Sequence, residues 1–486
     1  MIAASLLTLA IVTQDQASLR AAPRDAAVQQ AALWQGDTLE IRGQRMDYLQ
    51  VYDHRRERAG YIHISQVRTL SLKPADAPEL LTVVRFLRDT PGAEALGIGY
   101  TAAYLKAAPS DAITAEAFDA LGTMSERLAR RASMKHPKAT SDVISAHTEV
   151  AAAYGVTFKG YEQMGQGGNI QLCYNGDAFK RVLALPAAHS AHTASISPQL
   201  AEFRAHAVLA ITRHDCMAAD MHPQARLAHD KERMELLDNV SPAQFTQLSE
   251  ISKNRLRLRR AGVSASLAFQ QARRLDTPTA AAQRSLAELA AVNKAELTDN
   301  DLQEYNETAI RVGASRWAAE TAKPVNTKLT IITEPGQAGE TCVSLFENGK
   351  STKEPLIKRC TYGIVWAASA NAHPNGQKLA LAVQPLDTWR ELWVFRKTAG
   401  QWTVNVLPPA SSNPELGYVE FAGWAQGAPL ILLARETKIT GRQKRSFEVA
   451  LTDTLTIQKQ ASDASLLIAF AKWQDAEWKR GTVSSR

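Results

Sequence analysis

The chain has 486 residues, 45% of them hydrophobic and 22% charged. This is the make-up of a soluble globular protein of about two to four domains, which excludes collagen-like, mucin-like and wholly disordered chains. No apolar run approaches the ~18 residues of a membrane-spanning helix, excluding a polytopic membrane protein, and the net charge of +7 permits anionic partners without demanding them.

Residues 1–10 are almost all apolar or small, and no Lys or Arg precedes Arg20. They read as a secretion signal that lacks its basic leader, with Ala3, Ala4 and Ala10 suited to a cleavage region. The competing reading is that Ile11 and Val12 open a first β-strand.

Residues 11–72 read as a small all-β module. Apolar and polar positions alternate in Leu39-Glu40-Ile41 and Leu49-Gln50-Val51, with turns at Gly36-Asp37 and Gly60. If Leu39, Ile41, Leu49, Val51 and Ile62 face a core, the alternation turns Tyr48, Tyr52 and Tyr61 outward, with Trp34 near them. Aromatics gathered in a shallow groove suit an extended peptide. In order, Leu19-Arg20-Ala21-Ala22-Pro23, Gly36-Asp37-x-Leu39-x-Ile41, Asp47-Tyr48-x-x-Val51 and Gly60-Tyr61-Ile62 span the module and end at Val67. Over these motifs the segment resembles the bacterial SH3-like domain. The resemblance implies a compact five-to-six-stranded barrel that binds cell-wall peptides or other proteins. The competing role for its aromatics is packing against the helices that follow.

Residues 73–78 form a linker with two prolines. Residues 79–320 are Ala-rich and helical in period: Leu80, Val83, Val84 and Leu87 share one face. Similar stripes run through Ala95–Ala107, Thr114–Ala132, Ser141–Tyr154, Pro198–Thr212, Pro242–Leu275 and Thr279–Val292. Thr298 to Asp301 is a capping box before a last helix toward Trp317. Leu96-Gly97-x-x-Tyr100 resembles part of a tetratricopeptide repeat, but Pro109 breaks that pattern and no constant period exists. An irregular array of helical hairpins is expected.

A second boundary falls at Ala322-Lys323-Pro324, and residues 325–486 are β-rich and hold most of the tryptophans. His373-Pro374-Asn375-Gly376 marks a tight turn, and the runs Leu379-Ala380-Leu381 and Leu392-Trp393-Val394-Phe395 suit paired inner strands. Together they resemble one blade of a TolB-like β-propeller. The segment is too short for most complete rings, so a partial propeller or twisted β-sandwich is expected. The fold class is thus multidomain α+β.

Of the three pairings open to four cysteines, only Cys173–Cys216 with Cys342–Cys360 keeps each bridge within one domain. Two such bridges favour an oxidising compartment, each contributing ~3–4 kcal/mol. Four unrelated buried thiols are the competing reading.

Sites for chemistry are sparse. His189, His192, His206, His214, His222 and His229 crowd one stretch, but their spacings do not make a metal-binding helix. Gly165 to Asn169 lacks the features of a phosphate loop, and Asp299-x-Asp301 lacks those of a calcium loop. His147 and Glu149 point in different directions on a helix. No nucleophile motif has a convincing context, so neither a metal nor a cofactor is expected. Two basic patches, Lys253/Arg255/Arg257/Arg259/Arg260 and Arg42/Arg45/Arg55/Arg56/Arg58, suit anionic glycans or lipid head groups better than nucleic acid in an exported protein; solvated helix face and loop tips are the plainer reading. The expected function is a non-catalytic envelope protein that binds peptidoglycan or a protein partner through Trp34, Tyr48, Tyr52 and Tyr61. The alternative is a hydrolase of cell-wall or extracellular polymer, with its site between the helical and β domains.

Overall fold

The run Leu9–Val12 is a strand, β1, paired on both sides, and Ala10, Ile11 and Val12 are fully buried. Ala10, which suited a cleavage region, is therefore core. The structure is a computed structural model that describes residues 8–162, 170–185, 197–218, 220–321, 328–348, 354–411, 415–439 and 441–484. The remaining start of the proposed signal segment lies outside the described residues. Contacts divide the chain into two compact units. The first holds the described residues up to 218 together with 240–248, and the second holds 220–239 and everything from 249 onward. The helical stretch 79–320 is shared between them.

In the first unit β1 is followed by β2 (Ala17–Arg20), β3 (Gln29–Leu33), β4 (Thr38–Arg45), β5 (Tyr48–Asp53), β6 (Arg58–His63) and β7 (Val67–Leu70). These strands form one antiparallel sheet in the order β3-β2-β6-β5-β4-β1-β7. Ala10 and Val12 join Leu19, Leu33, Leu39, Leu49, Val51, Ile62 and Val67 in one core, with Ile41 packed against it. Ile11, of opposite parity, joins a second core built from the helices that follow. A strand buried on both faces reads as a continuous apolar run, as Leu9–Val12 does.

Those helices are α1 (Ala77–Arg88), α2 (Glu94–Ala107), α3 (Ala115–Ala132) and α4 (Lys138–Ala153). Helix α2 lies against the sheet with no room for side chains at two glycines. A Cβ on Gly36, which sits at φ +91°, would overlap the Ala95 carbonyl; one on Gly99 would lie 2.8 Å from Ile11 Cδ1. Tyr154, just past α4, donates its hydroxyl to the Gly36 carbonyl at 2.6 Å, and burial pushes its phenol up to about 12.

A short hairpin follows, β8 (Phe158–Glu162) and β9 (Ile170–Tyr174), which helical periodicity did not reveal. Next come α5 (Asp177–Ala184), α6 (Pro198–Ile211), α7 (Pro223–Asp238), α8 (Pro242–Gln247) and α9 (Glu250–Arg273). The stripe at Pro242–Leu275 is therefore two helices: Ser241 caps α8 in a full capping box, and Ser249 caps α9 afresh. Cys173 on β9 is bridged to Cys216 beyond α6, with Cα atoms 5.8 Å apart.

The second unit takes α7, α9, α10 (Thr279–Ala290) and α11 (Asp299–Ser315), the last opened by the expected box of Thr298 and Asp301. A three-stranded sheet follows: β10 (Leu329–Pro335), β11 (Thr341–Glu347) and β12 (Ile357–Thr361), with Cys342 bridged to its cross-strand partner Cys360. The larger sheet has β13 (Ile364–Ala372), β14 (Lys378–Leu386), β15 (Trp389–Thr398), β16 (Gln401–Leu407), β17 (Leu416–Trp424), β18 (Leu430–Ile439), β19 (Arg442–Leu451) and β20 (Ile457–Ala461). Two short helices, α12 (Ile468–Trp473) and α13 (Ala476–Ser484), close the description. Leu381 pairs with Trp393 as expected for the two apolar runs. The His373–Gly376 turn joins β13 to β14, with His373 accepting across it. Leu379, Leu381 and Val383 on β14 share a core with Leu329, Val343 and Leu345 of the smaller sheet. Ala380, of opposite parity, faces a different core with Val419, Ile431 and Leu433. Among the described residues neither sheet closes on itself: the smaller runs β10-β11-β12, and the larger runs from β13 to β20 with β15 meeting β17 in parallel.

The fit at Gly36 is testable against Gly155, which has φ +80° and open space around its Cβ position. Both alanine variants carry the left-handed penalty of ~1–2 kcal/mol. Only Gly36→Ala adds the overlap, so it is expected to lose about 1–3 kcal/mol more than Gly155→Ala in urea unfolding of the chain.

Candidate functional site

The outer face of the first sheet carries the aromatic set. Register pairs Tyr48 with His63, Gln50 with Tyr61 and Tyr52 with Ala59, so all these side chains share one face. Tyr52 and Tyr61 are half-buried there. The Arg42 guanidinium stands 4.0 Å above the Tyr52 ring, and the His54 ring meets it edge-on. Glu40 accepts from Arg42 at 3.2 Å and lies 2.7 Å from His54 Nε2, fixing that end of the face. Tyr61 lies opposite Arg20 of β2.

Tyr48 departs from the expectation, being only 6% exposed. The loop after β2 folds over it: Tyr48 donates to the Asp25 carboxylate, and Arg20 donates to the Ala27 carbonyl. That bond to Asp25 raises the Tyr48 phenol above its ordinary value. Tyr48 therefore anchors a loop and presents no ring surface to a ligand. Trp34 is half-buried on the turn after β3, beyond the Leu33–Ala17 pair. Tyr61 faces Arg20 at the other end of β2, about 10 Å along the strand, so Trp34 does not extend the same patch.

Other candidates resolve into structural roles. His147 bonds Asp15 at 2.7 Å and Glu149 bonds Arg55 at 3.0 Å, so the two point apart as their helical offset requires. His206 bonds Asp119, and the His222 ring accepts from the Gln224 amide to cap α7. His189, His192 and the loop Gly165 to Asn169 lie outside the described residues. Glu340, Cys342 and Cys360 cluster closely enough for a cation, but both sulfurs are spent in the bridge. Much of both basic patches is neutralised. Lys253 meets Glu250, Arg255 meets Asp301 and Arg259 meets Glu304; Arg42 meets Glu40, and Arg55 and Arg56 both reach Asp37.

Buried carboxylates follow the same pattern. In the first unit Glu94, fully buried, binds Arg127 at 2.6 Å and also Arg131. Glu126 takes Arg130 and Arg213, the latter also paired with Asp215 beside the bridged Cys216. In the second unit Asp230 is shared by Arg226 and Arg233, and Glu420 by Arg316, Arg390 and the Trp478 indole. Glu126 with Arg130, and Asp230 with Arg226 and Arg233, are neighbours on one helix at spacings present in the sequence, whereas Arg127, Arg213, Arg316 and Arg390 reach carboxylates of other elements. Glu288 and Glu391 stand apart: burial raises each carboxyl above its ordinary value, against Arg260 and Arg284 at Glu288 and against Trp393 and Arg359 at Glu391.

The second unit also holds a surface cavity of about 420 Å³ between α11 and the ends of β18 and β19. Its floor includes Tyr305, Ala309 and Ile310, and its rim includes Lys294, Glu436 and Arg445. Sequence reading passed over it, since its residues come from segments more than a hundred positions apart.

Burial pushes the Glu94 carboxyl up, but the Gly92 amide, Arg131 and Arg127 outweigh it and hold the group below its ordinary value. A carboxyl depressed in the folded state contributes stability above its unfolded value and loses it as pH falls through the folded one. Glu94→Gln is therefore expected to cost about 3–5 kcal/mol at pH 7, with the gap from the parent chain closing in acid unfolding below the carboxylate range. No protein-family model, curated protein or solved structure matches this chain.

Proposed function

We propose that the chain is an exported, non-catalytic binding protein of the bacterial cell envelope. Its N-terminal sheet acts as an SH3-like module that holds an extended peptide, of peptidoglycan or of an envelope protein, across Tyr52 and Tyr61. The observation that carries this reading is the register that sets two half-buried tyrosines on one face with Gln50 beside Tyr61 and Arg42 over Tyr52. Rigid aromatic area with amide and guanidinium groups beside it suits a peptide backbone at small entropic cost. Two disulfides favour an oxidising compartment, and no helix among the described residues is long and apolar enough to cross a membrane. The successive packed faces of the second unit support a partial propeller-like arrangement.

Retention on purified sacculi, followed by mass analysis of released fragments, tests this reading. A Tyr52→Ala/Tyr61→Ala variant is expected to bind at least about tenfold more weakly with no fragments released. Tyr48→Ala is unsuitable as the binding variant because it would free the loop that holds Asp25. Unchanged retention in the double variant, fragment release, or no retention of the parent chain would each overturn the wall-peptide reading; in the last case, binding to an envelope protein would carry the proposal alone.

A further inference from the structure

The cavity of the second unit is built from elements that are each fixed by their own bonds. Asn254 clamps Asn293 through both its amide oxygen and its amide nitrogen, each at 2.9 Å. Asn293 caps the turn that begins at Lys294, so the lysine is set at the rim by a rigid support. The Lys294 ammonium stands 5.1 Å above the Tyr305 ring and has no carboxylate partner among the described residues. That is unlike its neighbours in this unit, where Lys438 meets Glu307 and Arg284 meets Asp238.

Across the cavity, Glu436 accepts from the Tyr418 hydroxyl at 2.9 Å and pairs with Arg445 at 3.3 Å. These two residues are also cross-strand partners on β18 and β19, so strand register fixes their positions. The pair sets a carboxylate and a guanidinium side by side in the lining. Asn306 on α11 and Gln443 on β19 add side-chain amides to the lining, and each amide both donates and accepts. Below them the floor at Ala309 and Ile310 is apolar and buried.

A sugar ring presents hydroxyls that donate and accept at once, over C–H faces that are apolar. Fixed carboxylate, guanidinium and amide groups above an apolar floor match that pattern, and the volume lies in the range of small-molecule sites. The ammonium of Lys294, with that of Lys444 also in the lining, adds a preference for negative charge. We propose that this cavity binds an acidic saccharide, its carboxylate at Lys294 and its hydroxyls between the Glu436–Arg445 pair and the two amides. The site is separate from the tyrosine face and does not depend on the role proposed there.

A printed array of acidic and neutral oligosaccharides tests this with the whole chain and two variants at exposed rim positions. The parent is expected to retain acidic members, Lys294→Ala to lose at least about tenfold and its acidic preference, and Gln443→Ala to weaken all members it binds. Tyr61→Ala is expected to leave array binding unchanged, which separates this site from the peptide face. Competition by free galacturonate distinguishes a single acidic residue from a polymer segment as the bound form. Retention of no acidic saccharide, or equal retention by the parent and Lys294→Ala, would overturn the assignment.

Discussion

The first unit depends on a backbone-to-backbone approach that only glycine permits. Gly36 and Gly99 let α2 settle onto the sheet so closely that Ile11 reaches the helical core while Ala10 and Val12 stay in the core of the sheet. One strand then belongs to two cores. The polar ties around it, Tyr154 to Gly36, His147 to Asp15 and Arg55 to Glu149, need that separation to form. Opening the contact would strand a buried imidazole and a buried phenol, and a buried polar group without its partner is costly.

Charge is organised by the same economy of burial. A guanidinium taken out of water is tolerable only where carboxylates and carbonyls meet it, and the interior arginines meet such partners: Arg127 at Glu94, Arg213 at Glu126 and Asp215, Arg390 at Glu420. A net charge of +7 therefore says little about where positive potential is left over. The run from Lys253 to Arg260 looks strongly basic in one dimension, yet Asp301, Glu304 and Asp238 answer much of it from elsewhere in the chain. Lys294, isolated in sequence, has no carboxylate partner among the described residues and stands over the Tyr305 ring.

Much of the architecture was legible in the sequence because it rests on local periodicity. The alternation in β4 and β5 placed Leu39, Leu49 and Val51 in the core, and Thr298 and Asp301 formed the capping box their spacing implies. The cysteine pairing was legible because few pairings keep bridges local. Period alone could not separate α8 from α9, since the apolar stripe continues across the break that Ser249 caps. Nor could it show that Tyr48, on the outward parity, is covered by a loop whose Asp25 lies 23 residues earlier. The cavity was least legible of all, because a rim drawn from Lys294, Glu436 and Arg445 exists only after folding.

If β1 is shared by two cores, the sheet and α2 must open together. Native-state hydrogen exchange in rising sub-denaturing urea measures this at the amides of Ala10, Val12 and Leu39 and across α2. The expected result is a common opening free energy and a common urea dependence for the strands and the helix. Strand amides that exchange through a separate, smaller opening while α2 stays protected would contradict it.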